Sequence, residues 1–362
     1  MKNQEFLNTQ ELVIKNLNRR RKLDILIRKI GILLMTGMLV AFASIEVKAQ
    51  DFQFSQYYAS PLYLNPAFTG TGKMHRLNIN GRLQWPNLPK AYRTMAVSYD
   101  YNLESLSSGF GLLLTNDVAG SGNLGNTNVG FLYSYKAQIN KKLVISAGTH
   151  FAYNFTGLNS SGLTLGDQLA DDRSVSFDGE LSNVQKVRYF DFSSGILAYT
   201  KMFWAGVAFH HITEPNQSLI GDTNPLDMKV SVHGGIRIPL YRGPKEFDNI
   251  SSIAPSFIYK QQGEFNQLDL GINWHYNPIS AGVWYRGVPF GKAENSNIYD
   301  RDALIFMFGL KFPDFEVGYS YDFTISDIGD ASGGAHEISI VYDFVAKFKK
   351  KRKERFLPCP SF

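Results

Sequence analysis

Residues 76–85 alternate without a break. Leu77, Ile79, Gly81, Leu83 and Trp85 fall on one side of an extended chain, and Arg76, Asn78, Asn80, Arg82 and Gln84 on the other. Side chains alternate across a strand, so this segment is a ribbon with one apolar and one polar wall. The pattern returns at 228–238, where Val230, Val232, Gly234, Ile236 and Ile238 oppose Lys229, Ser231, His233, Gly235 and Arg237. It returns again at 267–276, with Leu268, Leu270, Ile272, Trp274 and Tyr276 against Asp269, Gly271, Asn273 and His275. In 143–155 the apolar wall holds Leu143, Ile145, Ala147, Phe151, Tyr153 and Phe155.

Fourteen such strands are predicted, at 75–85, 91–101, 108–116, 128–139, 143–155, 188–200, 203–212, 228–238, 250–260, 267–276, 279–288, 302–311, 315–324 and 336–346. Most are far longer than the roughly 5–6 residues usual in soluble sheets and suit the about 9–11 of a tilted membrane strand. Their connections sort by parity. Asn140, 201–202, 277–278 and 313–314 are short and follow even-numbered strands; 117–127, 156–187, 213–227, 289–301 and 325–335 are long and follow odd-numbered ones. The longer 239–249 is the exception. Outer-membrane barrels have short periplasmic turns and longer outer loops. The fold expected is therefore all-β: a transmembrane antiparallel β-barrel of the bacterial outer membrane with fourteen strands and periplasmic N- and C-termini.

Closure is compulsory in lipid, where each unpaired backbone group costs several kcal/mol. Arg93, on an apolar wall, lies near a strand end, where a lipid-facing charge costs less than at the midplane. Pro255 cannot donate to a ladder, so broken pairing or a bulge is expected there. The segment 303–310 is apolar on both faces, which calls for a lumenal partner; the segment preceding the first strand is the candidate.

Charge divides the chain. Lys+Arg number 37 against 32 Asp+Glu, a net +5 that invites a nucleic-acid reading. Residues 1–49 alone carry +5, residues 347–355 carry +6, and the body between them, 50–346, carries −6. A broad basic nucleic-acid-binding face is thereby excluded. Aromatic residues at 14% and 32 glycines suit a β-barrel.

The apolar run 30–45 follows the basic cluster Arg19, Arg20, Arg21, Lys22, Arg28 and Lys29, and precedes Val47-Lys48-Ala49. This is the grammar of a Sec signal peptide cleaved near Ala49. No Cys follows the apolar run, which argues against a lipoprotein, and the single cysteine, Cys359, excludes an internal disulfide. The organisation expected is a signal peptide at 1–49, an N-terminal periplasmic or plug segment at 50–74, the barrel at 75–346 and a basic periplasmic tail at 347–362.

No motif supports an enzyme or a cofactor. Residues 120–125 match GxGxxG, but the segment that follows reads as a strand where a dinucleotide site needs a helix. His210 and His211 are adjacent in a predicted strand, which would turn them to opposite faces. The remaining histidines lack ligand spacing, and Asp171-Asp172 lacks the EF-hand pattern.

The two ends carry a family resemblance. Residues 54–70 read FSQYYASPLYLNPAFTG, residues 336–340 read HEISI, and the lysine-rich tail ends Cys359-Pro360-Ser361-Phe362. Together these resemble the PorP/SprF family of type IX secretion system outer-membrane proteins; Ser361 departs from the basic residue more usual there. The resemblance implies a non-enzymatic accessory barrel of the secretion and gliding machinery. It would sit in outer-membrane lipid and support secretion or surface attachment of large adhesin-like proteins with type B C-terminal signal domains. It would be linked to periplasmic secretion-ring or peptidoglycan-associated components.

Three groups of residues become candidates. Lys347, Lys349, Lys350, Lys351, Arg352, Lys353 and Arg355 form a basic tail able to attract an acidic periplasmic partner. Phe52, Phe54, Tyr57, Tyr58, Leu62, Tyr63, Leu64 and Phe68 make 51–72 too aromatic for a free linker, so it is expected to plug or cap the barrel. Asp167, Asp171, Asp172 and Asp178 lie in the largest outer loop, 156–187, which with 289–301 is where a client would be recognised. The alternatives are a passive channel or hydrophobic-compound transporter of the same strand number and, third, a secreted soluble β-protein.

Overall fold

In the computed structural model, the described residues are 50–88, 91–120, 122–158, 185–241, 251–292, 299–326 and 329–345. A lumenal segment comes first, with one helical turn, α1 (Pro61–Leu64), between two 3₁₀ turns, Tyr57–Ala59 and Pro66–Phe68. The strands are β1 (His75–Gln84), β2 (Tyr92–Leu103), β3 (Ser108–Ala119), β4 (Leu124–Gln138), β5 (Val144–Gly157), β6 (Val187–Tyr199), β7 (Phe203–His210), β8 (Lys229–Ile236), β9 (Ile238–Tyr241), β10 (Ser251–Gln262), β11 (Phe265–Tyr276), β12 (Ile279–Lys292), β13 (Tyr299–Lys311), β14 (Phe315–Thr324) and β15 (Ala335–Phe344).

Each pairs antiparallel with its neighbour, β15 returns to β1, and β10–β11 joins the two halves into a closed ring. Both β8 and β9 pair with β10, so they form one interrupted stave and the barrel has fourteen. The interruption has a cause. Partners on this side of β10 end at Ser256↔Gly235 and resume at Ile253↔Ile238, skipping Pro255, which has no N–H to give. On its other side Pro255 stays in register with Ile272.

The barrel wall is inside-out relative to a soluble protein. Asn78, Asn80 and Arg82 of β1 are buried while Ile79 and Leu83 are exposed, and the same inversion recurs around the ring. Exposed aromatics stand near the strand ends at both rims. Tyr135, Phe203, Tyr276, Phe315 and Tyr342 mark one, and Tyr92, Phe155, Phe190, Phe265 and Phe323 the other. An apolar band between aromatic girdles matches a bilayer and its two interfaces. Among the described residues no helix is long and apolar enough to cross a membrane.

His75 pairs with both Tyr101 and Phe344, so the barrel begins and ends at one rim. That turn rim carries the connections 104–107, 139–143, 200–202, 277–278 and 312–314; the opposite, loop rim carries 158–186 and 211–228. Two expectations need correction there. The expected long loop 117–127 is a tight hairpin, because β3 and β4 stay paired to Ala119↔Leu124. The expected loop 289–301 is likewise shortened by β12 and β13, which reach Lys292 and Tyr299. Backbone pairing continues past the apolar zone, where side-chain alternation no longer marks it.

Candidate functional site: the filled lumen

Residues 51–71 lie against the inward faces of the strands. Phe54, Tyr57, Leu62, Leu64 and Phe68 are buried, with Phe68 only 1% exposed. Tyr57, Leu64, Ala67 and Phe68 join one cluster with Trp204, Trp284, Ala303, Ile305 and Met307. The inward face of β13 is apolar because it meets this segment. Leu62 packs with Leu113 and Leu132, beside Tyr63. The Tyr57 and Trp284 rings meet edge-on at 4.8 Å, and Phe52 stacks on Tyr63, also at 4.8 Å.

The two terminal motifs meet in space. The Ser55 and Gln56 amides donate to the Glu337 carboxylate at 2.7 and 3.0 Å, and the Gln56 side-chain amide donates to the Glu337 carbonyl at 2.9 Å. Ser339 donates to Gln56 Oε1 at 2.6 Å. Ser55 donates to Asp322 at 2.6 Å and accepts from Arg82 and Arg286 at 2.7 and 2.8 Å. Both guanidinium groups also hold Asp322 at 2.9 Å. One dipeptide thus ties β1, β12, β14 and β15 together across the seam where first and last strands pair.

The NPAxTG stretch is seated on other staves. Asn65 accepts from the Ala67 amide at 2.8 Å and donates to the Ile196 and Val207 carbonyls at 3.2 Å. Ser146 and Ser134 donate to the carbonyls of Ala67 and Thr69 at 2.8 and 2.6 Å. The Gly70 amide donates to Asp100, itself paired with Arg76, and Lys136 donates to the Gly70 carbonyl at 2.7 Å.

Inward glycines make the room. A Cβ at Gly148 would stand 2.4 Å from the Pro66 carbonyl, and one at Gly109 2.4 Å from that of Thr69. Gly148→Ala is therefore expected to cost about 1–3 kcal/mol by overpacking, read as a lower urea midpoint of the heat-modifiable band on gels. Gly81→Ala, whose Cβ meets nothing within 4 Å, should stay within about 0.5 kcal/mol of the parent.

The amino end of the segment is held by charge. Asp51 pairs with Lys229 and, at 2.8 Å, with His211, whose other nitrogen meets Asp191 at 2.7 Å. Here the sequence reading of opposite-facing histidines is corrected. The strand ends at His210 and His211 takes a left-handed φ of 57°, which carries its ring back to two carboxylates. Burial opposes charge on His211, but Asp51 and Asp191 outweigh it and raise its pKa to about 9. Burial likewise opposes charge on Asp51, and His211 and Lys229 hold its carboxyl well below the usual range.

The sign follows from linkage: a raised imidazole pKa stabilises fully below its unfolded value near 6.5 and loses that contribution as pH rises through about 9. The stability gap between wild type and His211→Asn should thus be present at neutral pH and close in alkali above that value. An unchanged gap would contradict the pairing.

All eight aromatic and aliphatic candidates of 51–72 are thus placed together, Phe52 and Tyr63 against each other at the end nearest Asp51. The tail residues Lys347 to Arg355 and the loop residues Asp167, Asp171, Asp172 and Asp178 lie outside the described residues. Sequence reasoning missed the wall groups that hold the segment: Arg82, Lys136, Asp191, Lys229, Arg286, Asp322 and Glu337. The available signal was their place on strands, on the polar wall, where an ionisable residue needs a partner. Among the described residues no cluster of three or more His, Cys, Asp or Glu could hold a metal ion.

A closed antiparallel ring with an apolar exterior, aromatic girdles and a polar, ion-paired interior defines an outer-membrane β-barrel. A family model described as the type IX secretion system membrane protein PorP/SprF matches residues 46–342, and the chain belongs to that family. No curated protein matches it. Solved structures similar to it include the outer membrane protein Omp33 of Acinetobacter baumannii, at 10% identity over 76% of this chain and 100% of that one, with a TM-score of 0.40. The toluene transporter TodX of Pseudomonas putida is 12% identical over 78% and 93%, at 0.42. A Pseudomonas aeruginosa FadL homologue is 13% identical over 79% and 94%, at 0.42. These likenesses say nothing of what this chain binds.

Proposed function

We propose that this protein is a closed, non-enzymatic docking barrel of type IX secretion, not a conduit. In this reading it supports secretion or surface attachment of large adhesin-like clients with type B C-terminal signal domains, and it is linked to gliding. The observation that carries the reading is the filled lumen: the segment is bonded to staves all round the ring, from Arg82 and Glu337 to Ser146 and Asn65's carbonyl partners. A client chain in transit would have to break those bonds.

Short turns are periplasmic and longer loops external in barrels of this kind, which puts the turn rim in the periplasm and the loop rim outside. The loop 156–187, with Asp167, Asp171, Asp172 and Asp178, then presents a recognition surface to the client. The tail from Lys347 to Arg355 hangs from the turn rim, where its charge attracts an acidic ring or peptidoglycan-associated partner.

Deleting the gene and profiling the cell surface tests the role. Loss of proteins bearing type B signal domains is expected; an unchanged surface would refute it. Truncation after Phe344 should abolish pull-down of the periplasmic partner while the barrel stays heat-modifiable; intact pull-down would sink the tail's part.

A further inference from the structure

The lumenal segment does not return to the rim where it began. Its carboxyl end is at the turn rim, where Lys73 bonds the Pro313 carbonyl and Asp314 at 2.6 and 3.0 Å. Its amino end is at the other. Asp51 is held by Lys229 at the start of β8, by Gln262 at the end of β10 and by His211 just beyond β7. All three mark the loop rim, as the register His210↔Lys229↔Gln262 shows. In between, Ser55 and Gln56 lie beside Arg82 and Asp322 near the loop-rim ends of β1 and β14, and Gly70 lies beside Asp100 and Lys136 near the turn rim. Gln50 is exposed. The segment crosses the whole lumen.

We propose that the amino end of the mature chain emerges at the loop-bearing mouth and faces the cell exterior, as part of the surface offered to the client, while the carboxyl end faces the periplasm. This rests on the orientation given under the proposed function. It also orders assembly. A leader with nine basic residues still attached to Gln50 would have to pass outward through the mouth. Leader removal therefore precedes seating of the segment.

The experiment uses the full chain in intact cells. An epitope tag is inserted between Gln50 and Asp51. In a separate Cys359→Ser background, Asp51→Cys reports the same end without the added peptide; its side chain is 17% exposed. Two further cysteines report the rims: Glu264→Cys in the 263–264 hairpin of the loop rim and Lys141→Cys in a connection of the turn rim, both exposed positions. Antibody and a membrane-impermeant maleimide are added before or after outer-membrane permeabilisation.

The tag and Asp51→Cys should react in intact cells together with Glu264→Cys, and Lys141→Cys only after permeabilisation. If Glu264→Cys reacts in intact cells but the tag and Asp51→Cys need permeabilisation, the amino end is periplasmic and the proposal falls while the orientation stands. If instead Lys141→Cys reacts in intact cells and Glu264→Cys does not, the orientation is inverted and both fall.

Discussion

Arg286→Met should lower the stability of the barrel by about 3–5 kcal/mol, the usual cost of stranding a buried charge. Arg286 is 1% exposed and lies between Asp322 at 2.9 Å, Asp269 at 3.6 Å and Asp302 at 3.8 Å, while also donating to Ser55. Methionine fills similar space but leaves Asp322 and Asp269 short of a countercharge in a wall shielded from solvent. Asp322→Leu alone should be costly for the mirror-image reason. The double variant should lose less than the two single losses added together, because the pair acts as a unit. Urea midpoints of the heat-modifiable band for the four proteins give the coupling. Simple additivity would mean that Arg286 and Asp322 do not act as a unit.

Deletion of 51–71 should have the second large effect, converting a silent barrel into a conducting one. The fully buried side chains of Leu62 and Phe68 each contribute about 1.5–3 kcal/mol of packing, so a marked fall in stability should accompany the opening. The lumen would be left lined by Arg82, Lys136, Asp322 and Glu337, which are polar enough to hold water. In planar bilayers the full chain should give no steady current and the deleted chain a steady one. A current of equal size from both would mean that the segment does not close the pore.

The ring was legible in the sequence because a bilayer enforces alternation: Ile79 and Leu83 outward, Asn78 and Arg82 inward, with no latitude in register. Strand ends at the loop rim were less legible. Asn116 and Thr127 bond each other at 2.8 Å in a ladder that continues above the apolar zone, where both faces are polar and the period vanishes. The disturbance at Pro255 was legible, since a missing N–H breaks a ladder on the side it would face, but which neighbour that is was not: pairing fails toward β8 and β9 and holds toward β11.

The aromatic richness of 51–72 marked the segment but not its course. That course is set by contacts such as Ser55 with Glu337, 282 positions apart, which no local pattern encodes. His211 escaped because its left-handed backbone turns a residue expected on the opposite face from His210 back toward Asp51 and Asp191.

Whether the barrel is a dock or a conduit is decided most directly by locking the segment in place. A Cβ at Gly111 would lie 3.1 Å from Thr69 Cγ2, so Thr69→Cys with Gly111→Cys, in a Cys359→Ser background, brings two sulfurs within reach of a disulfide. Cells carrying this variant are compared oxidised and after mild reduction, reading surface proteins with type B signal domains by surface proteomics. A closed dock predicts equal surface levels in the two states. Loss of those proteins when the segment is locked, and their return on reduction, would show that the lumen must open and would contradict the account.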